Sequence, residues 1–399
     1  MDYRIADRVQ ALNPSAIREI LKYAADPEVI SLSAGNPAPE AFPIKEVAEI
    51  SARILAERPV DVLQYSTTEG YAPLIRRLKT YMKNKHNVGR EFDEMLITAG
   101  AQQAVELVVK TMCNMGDAVV CEAPSFIGSL NSFRSMGGKL IGVPIESDGM
   151  SMTGLEEVLR TNPNVKFIYT IPNFQNPSGI TMSMEKRRRM LALAQQYDVL
   201  ILEDNPYGDL RYEGENIPSI KSLDEEGRVI YAGSFSKVLA PGIRVGYAIA
   251  AVPLIKKMTV CKQGEDVHTS MWSQIICDEY MGQYDFEAHL DDLRRIYRHK
   301  YQLMLSLIEK HLVPQGITYD KTQGGLFVWC HLPEGTDMPT FCTLAIKEHK
   351  VAVVPGNAFL VDEKQPCRSF RLNFSTPSDE DMIKGVEKLG QFAADFLKK

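Results

Sequence analysis

Ser234-Phe235-Ser236-Lys237 puts two hydroxyls and an amine within four residues, directly after a strand-like run that ends near Gly233. The strand ends of parallel sheets are where α/β proteins bind ligands. As S-x-x-K, the tetrad suggests a hydrolase in which Lys237 activates Ser234. The companion S-D-N and K-T-G motifs are absent, however, and Ser183-Met184-Glu185-Lys186 shows how cheaply the spacing arises. Taken alone, Lys237 reads as a solvated lysine at a loop end. Three other segments shift that balance: Pro172-Asn173-Phe174-Gln175-Asn176-Pro177-Ser178-Gly179, Glu203-Asp204-Asn205-Pro206-Tyr207, and the run from Lys237 through Arg244 to Tyr247. Each sits where a strand runs out, and each carries groups suited to one ligand. The second closes a strand so apolar that an acidic residue at its tip needs a partner.

The elements that must hold these groups alternate. From Gln64 to about Val260, helical and strand-like segments follow one another with short turns between them, the pattern of an α/β domain with a largely parallel sheet. Ala101 to Asn114 carries Ala104, Leu107, Val108 and Met112 at helical spacing and leads through Gly116-Asp117 into the strand Ala118 to Cys121. A helix from Phe126, strands at Leu140–Val143 and Val165–Thr170, a helix over Ser183–Tyr197, and strands at Val199–Leu202, Arg228–Ala232 and Val245–Ala250 complete the series. After about residue 285 a long amphipathic helix sets Leu290, Leu293, Tyr297, Tyr301, Met304 and Ile308 on one stripe. Strands and a last helix from Asp379 follow, an α+β texture. Near the start, Gly35-Asn36-Pro37-Ala38-Pro39 is a turn-rich crossing segment. The expected division is an arm with part of a small domain over 1–45, a large domain over 46–285, and the rest of the small domain over 286–399.

Composition narrows the function classes. The 399 residues are 45% hydrophobic and 24% charged, the balance of a globular chain able to bury real cores. With 45 Lys+Arg against 51 Asp+Glu the formal net charge is −6, which argues against a nucleic-acid partner. The short run Lys186-Arg187-Arg188-Arg189 lies in a helical pattern and reads as a solvated helix face. No apolar stretch approaches the ~18 residues of a membrane span, and the charged Met1-to-Arg8 start lacks the apolar core of a secretory signal. Seven cysteines without a C-x-x-C pair, and seven histidines without ligand spacing, favour a reducing cytoplasm and no metal site.

Taken in order, the four segments resemble the pyridoxal-phosphate-dependent aminotransferases of fold type I, class I/II, the group that includes aspartate, aromatic, kynurenine and 2-aminoadipate enzymes. The likeness runs from the Gly35-Asn36-Pro37 turn to Arg371. It implies a large α/β domain whose mostly parallel sheet is flanked by helices, plus a smaller α+β domain formed from both chain ends. It also implies that Lys237 holds pyridoxal 5′-phosphate as a Schiff base and, once freed by substrate, moves the proton between substrate and cofactor carbons. Asp204 would pair with the protonated pyridine nitrogen, while Tyr207 and Asn176 would hydrogen-bond the ring oxygen. Gly100, Ala101 and Gln102 would open a phosphate-binding helix closed by Ser234, Arg244 and Ser236. Relatives often have a hydroxyl where Ala101 stands, so that contact would be backbone only. Phe126 would stack on the cofactor ring, and Asn176-Pro177 is expected to be cis.

The same resemblance makes Arg371 the bidentate partner of the substrate carboxylate, assisted by Asn176 and the Gly35 backbone. Arg18 would lie near the distal end of the substrate. Tyr65 would reach the neighbouring subunit's phosphate, which implies a homodimer, although a tyrosine packed within its own subunit is the competing reading. The expected reaction moves an amino group from an L-amino acid, 2-aminoadipate, aromatic or similar, to a 2-oxo acid such as 2-oxoglutarate. A lyase that β-eliminates on the same cofactor is the second reading. A cofactor-sensing regulator is the third, disfavoured because its basic DNA-binding module would precede an arm that here begins within the first twenty residues.

Overall fold

The computed structural model describes residues 3–10, 12 and 26–398. The strands, in chain order, are β1 (Ile30–Ser31), β2 (Asp93–Thr98), β3 (Ala118–Ala123), β4 (Lys139–Glu146), β5 (Gly149–Met150), β6 (Val165–Thr170), β7 (Leu200–Asp204), β8 (Val229–Ser234) and β9 (Gly246–Ala251), then β10 (Thr318–Tyr319), β11 (Phe327–His331), β12 (Val351–Ala352), β13 (Val354–Pro355) and β14 (Ser369–Asn373). Eight of them form one large sheet in the order β2-β9-β8-β7-β6-β3-β4-β5. Its centre, β4-β3-β6-β7-β8, is parallel throughout. Both faces of such a sheet must be covered, and the central strands read as near-continuous apolar runs, with β3 buried through its first five residues. The helix Ala101–Met112 buries Ala104, Val105, Leu107, Val108 and Val109 against one face. The helix Met184–Gln196 buries Met190, Leu191, Leu193 and Ala194.

A four-stranded antiparallel sheet, β10-β11-β14-β13, forms the smaller unit, and β1 joins β12 in parallel, so that both chain ends meet there. The helix Phe286–His311 lays down the predicted stripe, with Leu290, Leu293, Tyr297, Tyr301, Met304 and Ile308 all buried. The last helix, Asp379–Phe396, brings Gly385 so close to Ile30 that a Cβ would touch its side chain. The expected fold class holds, a large, mostly parallel sheet with a smaller α+β unit.

Two features differ from the sequence reading. Strand β2, which the apolar pattern does not single out, occupies an edge, and β9 runs antiparallel between β2 and β8. The Lys186–Arg189 run is not a uniformly solvated face. Arg187 is fully buried, because it lies three, four and seven residues before Met190, Leu191 and Ala194 and therefore shares their inward stripe. Its guanidinium donates to the carbonyls of Met182, Ile217, Pro218 and Pro172 and to Asn173 Oδ1. Among the described residues no helix is long and apolar enough to cross a membrane.

Candidate active site

One edge of the large sheet gathers the candidate groups. Strands β2, β3, β6, β7 and β8 all point their C-terminal ends at it and deliver, in turn, Gly100, Phe126, Asn176, Asp204 and Lys237. Because β9 runs the other way, its first residue, Gly246, lies at this same edge and brings Arg244 with it. A parallel sheet leaves its strand-end loops free to shape a crevice there.

On β7, Glu203 and Asp204 point to opposite faces, as neighbours on a strand must. Glu203 is satisfied by the backbone N–H groups of Ile220 and Lys221, at 3.0 and 2.7 Å. Asp204 is different. Its Oδ2 accepts a 2.8 Å hydrogen bond from Tyr169, whose hydroxyl in turn takes one from Ser129, but its buried Oδ1 has no partner. Burial raises the Asp204 carboxyl to about 6, against the lowering effect of the Tyr169 hydrogen bond. On the loop after β8, Lys237 Nζ donates to the Gly35 carbonyl at 2.7 Å. Burial, and then the Arg371 and Arg244 guanidiniums, bring that amine down to about 8. Tyr207 is buried, and its pKa is raised chiefly by burial, with the Arg371 guanidinium and Asn176 acting to lower it. The Asn176-Pro177 peptide is cis, as expected, and so is Ala123-Pro124.

Gly100 opens the helix Ala101–Met112 with φ of 82° and no side-chain cap, leaving the helix N-terminus to face the edge. A Cβ on Gly100 would collide with the Arg244 guanidinium, and one on Gly246 would collide with the Gly100 backbone. These glycines therefore permit a close approach that builds an anion cradle from backbone and one arginine. Arg244 is held by the Ala99 carbonyl at 2.9 Å and by Ser236 Oγ at 3.3 Å, and Ser234 Oγ accepts from the Ser236 N–H. The Gln102 side chain turns away to Gly128 O and Ser132 Oγ, so only its backbone faces the cradle. Phe126 precedes the helix Ile127–Ser135, and its half-buried ring covers Gly128, where a Cβ would strike it.

Arg371 comes from the other unit, in β14 between Trp329 of β11 and Val354 of β13. It is buried, sandwiched between the Phe327 and Phe359 rings at 4.1 and 5.0 Å from their centroids. It donates to Asn176 Oδ1 at 2.7 Å and to Ser33 O at 2.8 Å, while its Nε has no partner. Burial lowers this guanidinium to about 10. Among the described residues no carboxylate pairs with it. A buried cation in that condition is a receptor for an anion.

A family model described as aminotransferase class I and II matches residues 27–389. The chain belongs to this family. It is 38% identical over 405 residues to aromatic-amino-acid aminotransferase 1 of Thermococcus litoralis, covering 100% of this chain and 96% of that protein. The crystal structure of a multiple-substrate aminotransferase from Thermococcus profundus superposes with a TM-score of 0.94 at 37% identity, over 99% of this chain and 98% of the other. An α-aminoadipate aminotransferase from Thermus thermophilus, solved with N-(5′-phosphopyridoxyl)-L-leucine, superposes at 0.90 with 37% identity, over 99% and 98%.

Membership makes this a pyridoxal-phosphate-dependent aminotransferase, and the site residues suit that cofactor. The orphaned Asp204 oxygen awaits a donor such as a ring N–H, the Gly100–Arg244 cradle suits a phosphate, and Lys237 supplies an amine. In the aminotransferase Tyr65 stands 80% exposed with its ring edge against His268, and Arg18 lies outside the described residues. Several neighbours of the site escaped the sequence reading. Tyr169 is a phenol in an apolar strand, a group that needs a partner when buried. Glu122 stands next to last in the apolar strand β3, and the rule that flagged Asp204 would have flagged it too. Ser33, Phe327 and Phe359 carry no signal of their own.

Proposed function

We propose that the edge described above is the catalytic centre, with Lys237 as the residue that binds the cofactor covalently and relays the proton. The observation that carries this reading is the pair of buried, unpartnered polar atoms, Asp204 Oδ1 and Arg371 Nε, in the groups gathered with Lys237, an amine whose pKa burial and two guanidiniums lower. When bound, pyridoxal phosphate supplies an electrophilic carbon for an amine and a ring that spreads the electrons released at the substrate α-carbon. Lys237 is poised for its part because an amine with a pKa near 8 is neutral for a useful fraction of the time near pH 7 to 8 and so serves as nucleophile or base. Asp204 would hold the ring nitrogen with its free oxygen, while Tyr169 fixes the other oxygen. Asn176 and Tyr207 would take the ring oxygen, Gly100, Ala101, Gln102, Ser234, Ser236 and Arg244 would take the phosphate, and Phe126 would cover the ring. Arg371, with Asn176 and the Gly35 segment, orients the substrate carboxylate.

The donor in this reading is a 2-aminoadipate-like or aromatic L-amino acid and the acceptor a 2-oxo acid such as 2-oxoglutarate, supported by the aromatic, α-aminoadipate and multiple-substrate enzymes that the chain is similar to. We read the enzyme as a homodimer in which Tyr65 serves the neighbouring site. Exposure of 80% at Tyr65, 76% at Leu63 and 70% at Val60 supports a covered surface there. Seven free cysteines support a cytoplasmic setting. The test is Lys237→Ala. The variant is expected to lose both the absorption of the lysine-bound cofactor and amino exchange by at least about a thousandfold, roughly 4 kcal/mol of barrier. Wild-type exchange would overturn the assignment.

A further inference from the structure

Glu122, the next-to-last residue of β3, is 2% exposed, and no role described so far uses it. Its Oε1 accepts from Thr170 Oγ1 at 2.6 Å, and its Oε2 accepts from the Ile171 N–H at 3.2 Å and from Gln175 Nε2 at 3.1 Å. Three donors converge on one carboxyl group, and no Lys or Arg among the described residues forms an ion pair with it. Gln175 is fixed at both ends. Its Nε2 also donates to Pro124 O at 2.8 Å, and its Oε1 accepts from the Ser178 N–H at 2.9 Å and from Ser178 Oγ at 2.8 Å. Turning this amide over would set its oxygen against two acceptors and its nitrogen against a donor N–H, so the Glu122 carboxyl, together with Pro124 O and the Ser178 N–H, selects one orientation.

The next residue along is Asn176, whose Oδ1 receives the Arg371 guanidinium. On its other flank the loop is tied down by Arg187, which donates to Pro172 O and Asn173 Oδ1. A carboxyl that receives three hydrogen bonds on one side and a guanidinium that donates on the other hold the backbone that presents Asn176. We propose that Glu122 is a positioning residue for the substrate-carboxylate clamp: through Gln175 it holds Asn176 where Arg371 meets it. This rests on the reading that Arg371 and Asn176 take the substrate carboxylate.

Glu122→Leu in the holoenzyme tests it, because it leaves Gln175 Nε2 and the Ile171 N–H without the acceptor they share. KM for the amino acid and for the 2-oxo acid is expected to rise about tenfold with kcat within about threefold, a loss typical of one buried hydrogen bond removed. Calorimetry with 3-phenylpropanoate, a substrate-shaped carboxylate without an amino group, is expected to show the same tenfold weakening. Glu122→Gln keeps an oxygen toward Gln175 Nε2 and the Ile171 N–H and can donate its own N–H to Thr170 Oγ1, so it is expected to bring both readouts at least halfway back on a logarithmic scale. A folded Glu122→Leu protein with KM and probe binding within twofold of wild type, or a Glu122→Gln variant no better than Glu122→Leu, overturns the proposal. If Glu122→Leu does not fold, Ser178→Ala removes a donor from the far end of the same relay. About a threefold rise in KM is then expected, and no rise overturns the proposal. Arg371→Lys separates the two readings. If it leaves probe binding unchanged, the clamp itself is wrong; if it weakens binding while Glu122→Leu does not, only the role of Glu122 fails.

Discussion

Arg187 and Arg371 are both buried arginines, yet they sit in regions built for opposite ends. Around Arg187, under the loop that follows β6, five acceptor contacts consume the guanidinium and leave none of its nitrogens orphaned. Around Arg371, on the small sheet, two acceptors and two aromatic faces hold the group in place while Nε stays unpartnered. The neighbouring carboxylates repeat the contrast, with Glu203 satisfied by backbone N–H groups and Asp204 left with a bare oxygen. Burial alone does not mark a site. Unspent hydrogen-bonding capacity held rigid by its surroundings does, because the protein has already met the cost of desolvation and a ligand recovers it.

The sharpest break in this comparison is Arg371→Met. We expect kcat/KM to fall about a thousandfold, near 4 kcal/mol, through loss of a buried partner for the substrate carboxylate. Unfolding free energy is expected to move by less than about 1 kcal/mol, since removing a buried cation that has no carboxylate partner offsets the loss of a donor at Asn176 Oδ1 and Ser33 O. Steady-state kinetics beside a urea titration measures both, and a large stability loss would place Arg371 with Arg187 as a structural residue.

Arg187→Met should do the reverse. It leaves the Pro172, Met182 and Pro218 carbonyls and Asn173 Oδ1 short of a donor, so about 3 kcal/mol of stability should disappear, read as a lower denaturation midpoint at unchanged slope. Protein that remains folded at low temperature is expected to keep kcat/KM within about tenfold.

The smallest effect is a pH slope. Asp204 titrates near 6 in the fold against about 3.9 in an unfolded chain. Between those values the native state holds a proton that the unfolded state has lost, so stability of the cofactor-free protein should fall as pH rises from about 4 to about 6, by about 2 kcal/mol. Asp204→Asn should flatten that part of the profile, and added pyridoxal phosphate should reverse it in the wild type by giving the carboxylate a partner. Thermal melts across this range, with and without cofactor, would show it.

Much of the candidate site was legible because its residues are local neighbours of strand ends. Asn176, Asp204, Tyr207, Lys237 and Arg244 sit in short turn-rich segments that follow apolar runs, and such order is visible in one dimension. The fold class followed from the alternation of those runs with helical spacing. Arg187 was misread although its signal was present: Met190, Leu191 and Ala194 mark its face as inward, and the weight of four consecutive basic residues hid the period. Glu122 was equally visible as an acid next to last in an apolar strand. Ser33, Phe327 and Phe359 were not, since they reach Arg371 only across a contact such as Ser33 to Arg371, 338 residues apart along the chain.

The sequence by itself determined which chemical groups this aminotransferase carries and which edge of its sheet they share, because residue type and strand-end position are local properties. Only the tertiary structure decided which of those groups are left unsatisfied. Whether Asp204 or Glu203, Arg371 or Arg187 keeps a free hydrogen bond depends on partners delivered by distant segments, and no local pattern records them.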